Sequence, residues 1–180
     1  MAKGVQKKKG LTTRLANVLI FLLVLNLLSI PLYIALYTNF SFEPLQQLNA
    51  EIVSATLRFV GSVSNPEDFI VNIATDGIQG IEISWDSTGW KSMYAVAALI
   101  LATPAVKVSK KLKAVFISVG IIFAVNYLRI TTTILISAMF GFNLFDIVHT
   151  VLWREGLILA VVAVWVVWMR MEKYKIGEIK

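Results

Sequence analysis

The sequence contains no cysteine and only one histidine, His149, among its 180 residues. Without cysteine, the chain as it stands can build no disulfide, no thiol nucleophile and no cysteine metal site. A single histidine excludes a metal site that needs several imidazole ligands. The sequence also lacks a P-loop and a glycine-rich dinucleotide motif. We therefore expect neither a metal nor an organic cofactor.

Charged residues are scarce at 16%, whereas hydrophobic residues make up 57% of the chain and the mean hydropathy is +0.74. This composition is too apolar for an ordinary soluble domain and is typical of a polytopic membrane protein. The first apolar run has no small-residue cleavage pattern after it, so we expect it to remain as a membrane anchor. Residues 1–180 should form a single membrane-embedded domain.

Four apolar segments predict transmembrane helices at about residues 16–37, 90–107, 114–139 and 153–170. A helix over the first segment would rise ~33 Å, which is enough to cross a bilayer, and Pro31 should kink it. The second segment is short, and residues that extend their polar ends to the interface would help it to span. The predicted fold class is an all-α polytopic membrane protein with a bundle of about four transmembrane helices.

The distribution of the net charge of +6 predicts the orientation of these helices. Basic residues dominate residues 1–14, 107–113 and 170–180, whereas acidic residues dominate residues 39–90. Basic blocks between apolar runs follow the positive-inside rule, which explains them better than nucleic-acid binding does. We expect a multi-pass protein of the plasma membrane with both termini in the cytoplasm and no nucleic-acid partner. The segment at about 39–89 and the connection at about 141–153 would then lie outside.

The long outer segment carries two secondary-structure patterns. Apolar residues recur near helical spacing over residues 44–63, which predicts an amphipathic surface helix that ends before Asn65–Pro66. Residues 69–75 and 80–84 alternate around Asp76–Gly77, which predicts a β-hairpin. This hairpin would return the chain to the membrane surface at Ser87.

Three polar residues converge on the outer side of the membrane in this topology. Ser87 precedes the second span, Arg129 lies in the outer half of the third, and His149 lies in the second outer connection. An arginine at this depth costs at least ~2.5 kcal/mol before compensation, which favours a functional role. Asn126, one turn before Arg129, shares its helix face and can orient the guanidinium.

Each of these residues also has a structural interpretation. Asp86, Ser87 and Thr88 are common helix N-cap residues. Arg129 could form a structural ion pair with Asp86 or Asp146, and His149 could make an interfacial hydrogen bond.

Three short stretches resemble motifs of the archaeosortase/exosortase family of multi-pass membrane transpeptidases. They are DSTGW before the second span, NYLRI inside the third, and FDIVH after it. The family's motifs read Cys-Thr-Gly or Cys-Ser-Gly, then Asn-x-x-Arg, then a histidine or a second arginine. The first motif falls on Ser87, Thr88 and Gly89, and the second falls on Asn126 and Arg129. The third matches His149 best, with Arg154 as the other candidate.

The resemblance implies an enzyme that cleaves the C-terminal sorting signal of exported proteins, which consists of a short motif, a transmembrane helix and a basic cluster. The new carboxyl end would pass to a lipid acceptor in the membrane. The implied catalytic residues are Ser87, Arg129 and His149; the implied binding or supporting residues are Asp86, Thr88, Gly89, Asn126 and Arg154.

Because the family's nucleophile is a cysteine, we interpret Ser87 as a Cys→Ser replacement that inactivates the enzyme, either introduced deliberately or present in an inactive relative. A natural serine-dependent membrane peptidase and a non-enzymatic membrane assembly protein are the alternatives. Both remain open at this point.

Overall fold

The computed structural model describes residues 2–59, 64–74, 78–140 and 154–177, and most of this chain is helical. The helices are α1 (Ala2–Tyr37), α2 (Glu43–Phe59), α3 (Trp90–Ala102), α4 (Val108–Phe140) and α5 (Arg154–Gly177). Between α2 and α3 lies an antiparallel sheet with strands β1 (Ser64–Glu67), β2 (Ile70–Ala74) and β3 (Ile78–Glu82). A 3₁₀ turn, Trp85–Thr88, joins β3 to α3.

Two helices in the described part of the chain are long and apolar enough to cross a membrane. These stretches are Thr12–Tyr37 in α1 and Val108–Ser137 in α4. The apolar helix α3 is shorter, with 13 residues. The apolar helices agree with a membrane protein, and the arrangement with four spans stays a prediction.

The helix α3 lies at the centre of the helical part and contacts α1, α4 and α5. Its contact with α1 includes a hydrogen bond that the Tyr94 hydroxyl donates to the carbonyl of Leu28, one turn before Pro31. Apolar side chains of α3, α4 and α5 form the cluster that we name the inner core. Its buried members are Val96, Ile100, Ala114, Ile122, Leu157, Val161 and Trp168.

A second cluster, the outer core, joins α2, the sheet and the C-terminal half of α4. Its buried members are Ala50, Val53, Leu57, Val71, Ile73, Ile83, Ile130 and Ile134. A hydrogen bond between the hydroxyls of Thr56 and Tyr127 also links α2 to α4. At 33 residues, α4 is ~50 Å long and exceeds the ~30 Å hydrocarbon thickness. This length lets one helix contribute to both cores.

The amphipathic helix is present as α2, and its buried face packs on the sheet and on α4. The predicted hairpin is present as β2 and β3, with Ala74 paired to Ile78, and the turn residues 75–77 lie outside the described residues. The helix α2 ends at Phe59, before Asn65–Pro66 as expected, and these two residues lie in β1, opposite Asn72 and Val71. Proline is tolerated there because β1 is an edge strand that needs fewer backbone donors.

Candidate active site

The 3₁₀ turn that carries Ser87 begins two residues after Ile83, a buried member of the outer core that two hydrogen bonds hold in place. The Ile83 N–H donates to the Phe69 carbonyl at 2.8 Å, and the Gln46 side-chain amide donates to the Ile83 carbonyl at 3.0 Å. The Ser87 N–H then donates to the Ser84 carbonyl at 2.9 Å and closes the turn. Ile83 is 2% exposed, and position 87 follows this buried residue by four positions.

The residue in the N-cap position of α3 is Gly89, and it makes no side-chain cap bond. Its carbonyl accepts hydrogen bonds from the N–H groups of Ser92 and Met93. The interpretation of Asp86, Ser87 and Thr88 as N-cap residues of this helix is therefore wrong. They form the preceding turn instead, in which the buried Thr88 hydroxyl donates to the Trp85 carbonyl.

The carboxylate of Asp86 lies 2.8 Å from the ammonium of Lys91 on the protein surface. The Asp86 side chain is 70% exposed, so this ion pair contributes little to stability. The structural ion pair considered between Asp86 and Arg129 is thus replaced by a pair with Lys91. The other acidic candidate, Asp146, lies outside the described residues.

The completely buried side chain of Asn126 connects the turn to α4. Its amide nitrogen donates to the Ser87 carbonyl at 2.9 Å, and its amide oxygen accepts from Nη1 of Arg129 at 3.3 Å. Gly89 approaches the same amide closely, since a Cβ at position 89 would lie 2.7 Å from the Asn126 Cγ. One amide therefore fixes both the backbone at position 87 and the guanidinium.

Ser87 and Arg129 line the same small cavity, of about 40 Å³. The other lining residues are Ile81, Glu82, Ile83, Ile130, Thr133 and Ile134. A space of this size can hold a single small polar group, such as a water molecule or a carbonyl oxygen. Arg129 is 9% exposed and lies on α4 between Ile122 of the inner core and Ile130 of the outer core. The site therefore occupies the boundary between the two cores.

The family model of the transmembrane exosortase, Exosortase_EpsH, matches residues 11–169. The chain belongs to the transmembrane exosortase family. No curated protein and no solved structure matches it.

Membership in this family indicates a membrane enzyme of the transpeptidase or protease type. Exosortases act on exported proteins that carry sorting signals. Family membership therefore indicates that this chain takes part in the sorting of exported proteins. The matched residues include the turn with Ser87 and the α4 segment with Asn126 and Arg129.

The structure brings four residues of the predicted site into direct relation: Ser87, Gly89, Asn126 and Arg129. Asp86 is turned to solvent, and Thr88 supports the turn.

His149 lies outside the described residues, and Arg154 begins α5, where only the backbone is described. Contacts of His149 and of the Arg154 side chain with the site therefore stay predictions.

Two hydroxyl residues of the site were not singled out by the sequence. The Ser84 Oγ lies 2.8 Å from the Ser87 Oγ, and Thr133 lines the cavity. The spacing of three residues between Ser84 and Ser87 could have predicted their contact, because a 3₁₀ turn aligns residues i and i+3. The spacing of four between Arg129 and Thr133 similarly places both on one face of α4.

We expect Gly89→Ala to destabilise this exosortase by about 2 kcal/mol or more. Gly89 has a φ of 77°, a left-handed conformation that costs other residues roughly 1–2 kcal/mol, and the new Cβ would also collide with Asn126. The matched control is Gly120→Ala in α4, where a Cβ meets nothing within 4 Å. Thermal unfolding in detergent, followed by tryptophan fluorescence, compares the two variants. Equal unfolding temperatures for both would contradict the close approach of Gly89 to Asn126.

Proposed function

We propose that this exosortase cleaves the C-terminal sorting signal of exported surface proteins and transfers the new carboxyl end to a lipid acceptor in the membrane. The nucleophile acts from position 87. The observation that supports this most is the shared cavity of Ser87 and Arg129, with Asn126 bonded to both residues. This arrangement places a nucleophile position beside a cation that can attract a substrate carbonyl oxygen.

The chemistry needs a cysteine at position 87. His149 takes the thiol proton. The thiolate then attacks the carbonyl carbon of the scissile bond and forms a tetrahedral intermediate, whose oxyanion Arg129 stabilises. Collapse of the intermediate breaks the C–N bond and leaves a thioester on the enzyme, while His149 gives a proton to the leaving amine. The acceptor nucleophile then gives its proton to His149 and attacks the thioester carbonyl. The C–S bond breaks, so that the acyl group stays on the acceptor and the sulfur leaves as the thiolate.

The proposed topology has four spans, with both termini in the cytoplasm of a plasma membrane protein and the site on the extracytoplasmic face. The positions of the charges on α4 support it. Lys110, Lys111 and Lys113 lie in the first turns of the helix, whereas Asn126 and Arg129 lie toward its other end, which packs on α2 and the sheet. A site at that end can meet a scissile bond just outside a substrate helix.

The serine at position 87 makes this chain an inactivated form of a cysteine enzyme in our proposal. An aliphatic hydroxyl is much less acidic than a thiol, so it supplies almost no anionic nucleophile. Substrate binding does not need the thiolate and should survive the replacement. The serine form should therefore bind its substrate without converting it.

This property gives the test of the proposed function. The chain as it stands is co-expressed with exported proteins that end in a short motif, an apolar helix and a basic cluster, and is purified in mild detergent. We expect one of these proteins to co-purify uncleaved, and we expect the same protein without its apolar helix and basic cluster to be lost. Cleavage by the serine form would instead favour a serine-dependent peptidase. Failure of both the serine form and its Ser87→Cys variant to retain or cleave any such protein would contradict the proposal and favour a non-enzymatic assembly protein.

A further inference from the structure

The hydroxyl of Ser84 is the described side-chain partner of the nucleophile position. The two Oγ atoms lie 2.8 Å apart, which is the usual length of a hydrogen bond between hydroxyls. The backbone supports this contact, because the Ser87 N–H also bonds to the Ser84 carbonyl within the same turn. Two hydrogen bonds thus connect residues 84 and 87, one from the backbone and one from the side chains.

The two hydroxyls have different surroundings. Ser87 lines the cavity together with Arg129, whereas Ser84 does not line it and is exposed. Ser84 directly follows Ile83, which two hydrogen bonds hold to the turn between β1 and β2 and to α2. Ser84 therefore stands beside the nucleophile position on a fixed support, outside the space where a substrate carbonyl would bind.

We propose that Ser84 is a positioning residue that hydrogen-bonds the nucleophile at position 87 and favours its anionic form. A hydroxyl can accept a hydrogen bond from a neutral thiol and donate one to a thiolate. Donation to the charged form stabilises it and lowers the pKa of the thiol. The bond also limits rotation of the side chain at position 87, so that the sulfur stays directed at the cavity. This inference rests on the proposed function only in taking position 87 as the nucleophile.

The absence of cysteine from the chain makes the test specific. In the variant Ser87→Cys the new thiol is the only one, so its rate of alkylation by iodoacetamide reports position 87 alone. The midpoint of this rate against pH gives the thiol pKa. We expect the further change Ser84→Ala to raise this pKa by about one unit, a tenfold decrease in the acid dissociation constant. Ser84→Thr, which retains a hydroxyl, should keep the lower value.

Two comparisons separate this effect from a general disturbance. Ser92→Ala removes a hydroxyl in the first turn of α3 that forms no hydrogen bond with Ser87, and it should leave the pKa unchanged. Ser84→Val has nearly the same shape as Ser84→Thr without the hydroxyl, so it should behave like Ser84→Ala and provides the answer if the alanine variant does not fold.

Equal pKa values for the threonine and valine variants would overturn the proposal, as would an equal shift from Ser92→Ala. The alkylation assay needs no substrate, so its result is independent of the cleavage assay. A pKa that depends on Ser84 in a protein that cleaves nothing would retain this inference and remove the proposed function. Cleavage by a protein whose thiol pKa does not depend on Ser84 would support the proposed function and overturn this inference.

Discussion

Replacing Ser87 with cysteine should convert a silent chain into an active enzyme, with a rise in cleavage rate on the order of 10⁴-fold or more. The magnitude follows from proteases that act through an activated nucleophile, in which loss of that nucleophile costs up to roughly 10⁶-fold in turnover. The cavity that Ser87 shares with Arg129 and the bond from Asn126 to the Ser87 carbonyl are set by the backbone and by α4, so they should persist with a thiol at position 87. Release of the sorting-signal peptide from a co-purified substrate in detergent or liposomes measures the change.

Two matched variants control this experiment. Ser87→Ala removes the hydroxyl and should be as inactive as the serine form. Ser92→Cys places a thiol in the first turn of α3, five residues along, and should also be inactive. An inert Ser87→Cys variant that remains folded, binds substrate and carries an alkylatable thiol would remove position 87 from the mechanism. Cleavage by the serine form that Ser87→Ala abolishes would instead identify a serine-dependent peptidase.

The meeting of the turn with α4 could be predicted from the sequence, because it depends on the order of elements and on helix geometry. Asn126 and Arg129 are three residues apart in an apolar helix and must share one face. The apolar pattern of α2 and the alternation in β2 and β3 were equally readable, since burial of one face produces both. The resemblance to the family motifs then associated position 87 with Asn126 and Arg129 of α4.

Other features could not be predicted because they depend on tertiary contacts that leave no periodic pattern. The strand β1 contains Asn65 and Pro66, which signal a turn in isolation, yet pairing with β2 makes them an edge strand. The contact of the Asn126 amide with the Ser87 carbonyl involves a backbone acceptor, so no side-chain type at position 87 encodes it. The partnership of Asp86 with Lys91 rather than with Arg129 likewise depends on which way the turn faces.

The position of the site between two apolar cores explains how α4 can carry a buried arginine. Ile122 anchors the helix to α3 and α5, and Ile130 and Ile134 anchor it to α2 and the sheet. The polar face between these anchors continues to Thr133 and Ser137, whose hydroxyls donate to carbonyls four residues earlier on α4. Because these hydroxyls are satisfied within their own helix, they need no bond from the guanidinium. Among the described residues, Nη1 of Arg129 donates to the amide oxygen of Asn126, one turn earlier on the same helix.

In the Ser87→Cys form, Arg129→Ala should reduce cleavage by about 10²- to 10³-fold, the usual effect of losing a group that stabilises an oxyanion. Arg129→Lys should reduce cleavage less, because an ammonium retains the positive charge. Some loss should remain, because lysine lacks the planar donors that reach both Asn126 and the cavity. The neighbouring Leu128 is 58% exposed, so Leu128→Ala is the matched control and should cleave normally. Steady-state cleavage and the thermal unfolding temperature are measured on the same preparations.

The same variants distinguish the two roles open to the guanidinium. If Arg129 stabilises the thiolate, Arg129→Ala should also raise the pKa of the thiol at position 87, as measured by alkylation. If it acts on the oxyanion alone, cleavage should fall while the thiol pKa stays constant. The unfolding temperature of Arg129→Ala, measured beside that of Leu128→Ala, separates a loss of catalysis from a loss of folding. A lower unfolding temperature that accounts for the lost cleavage would show that Arg129 has a structural role, and the proposed catalytic role would then be wrong.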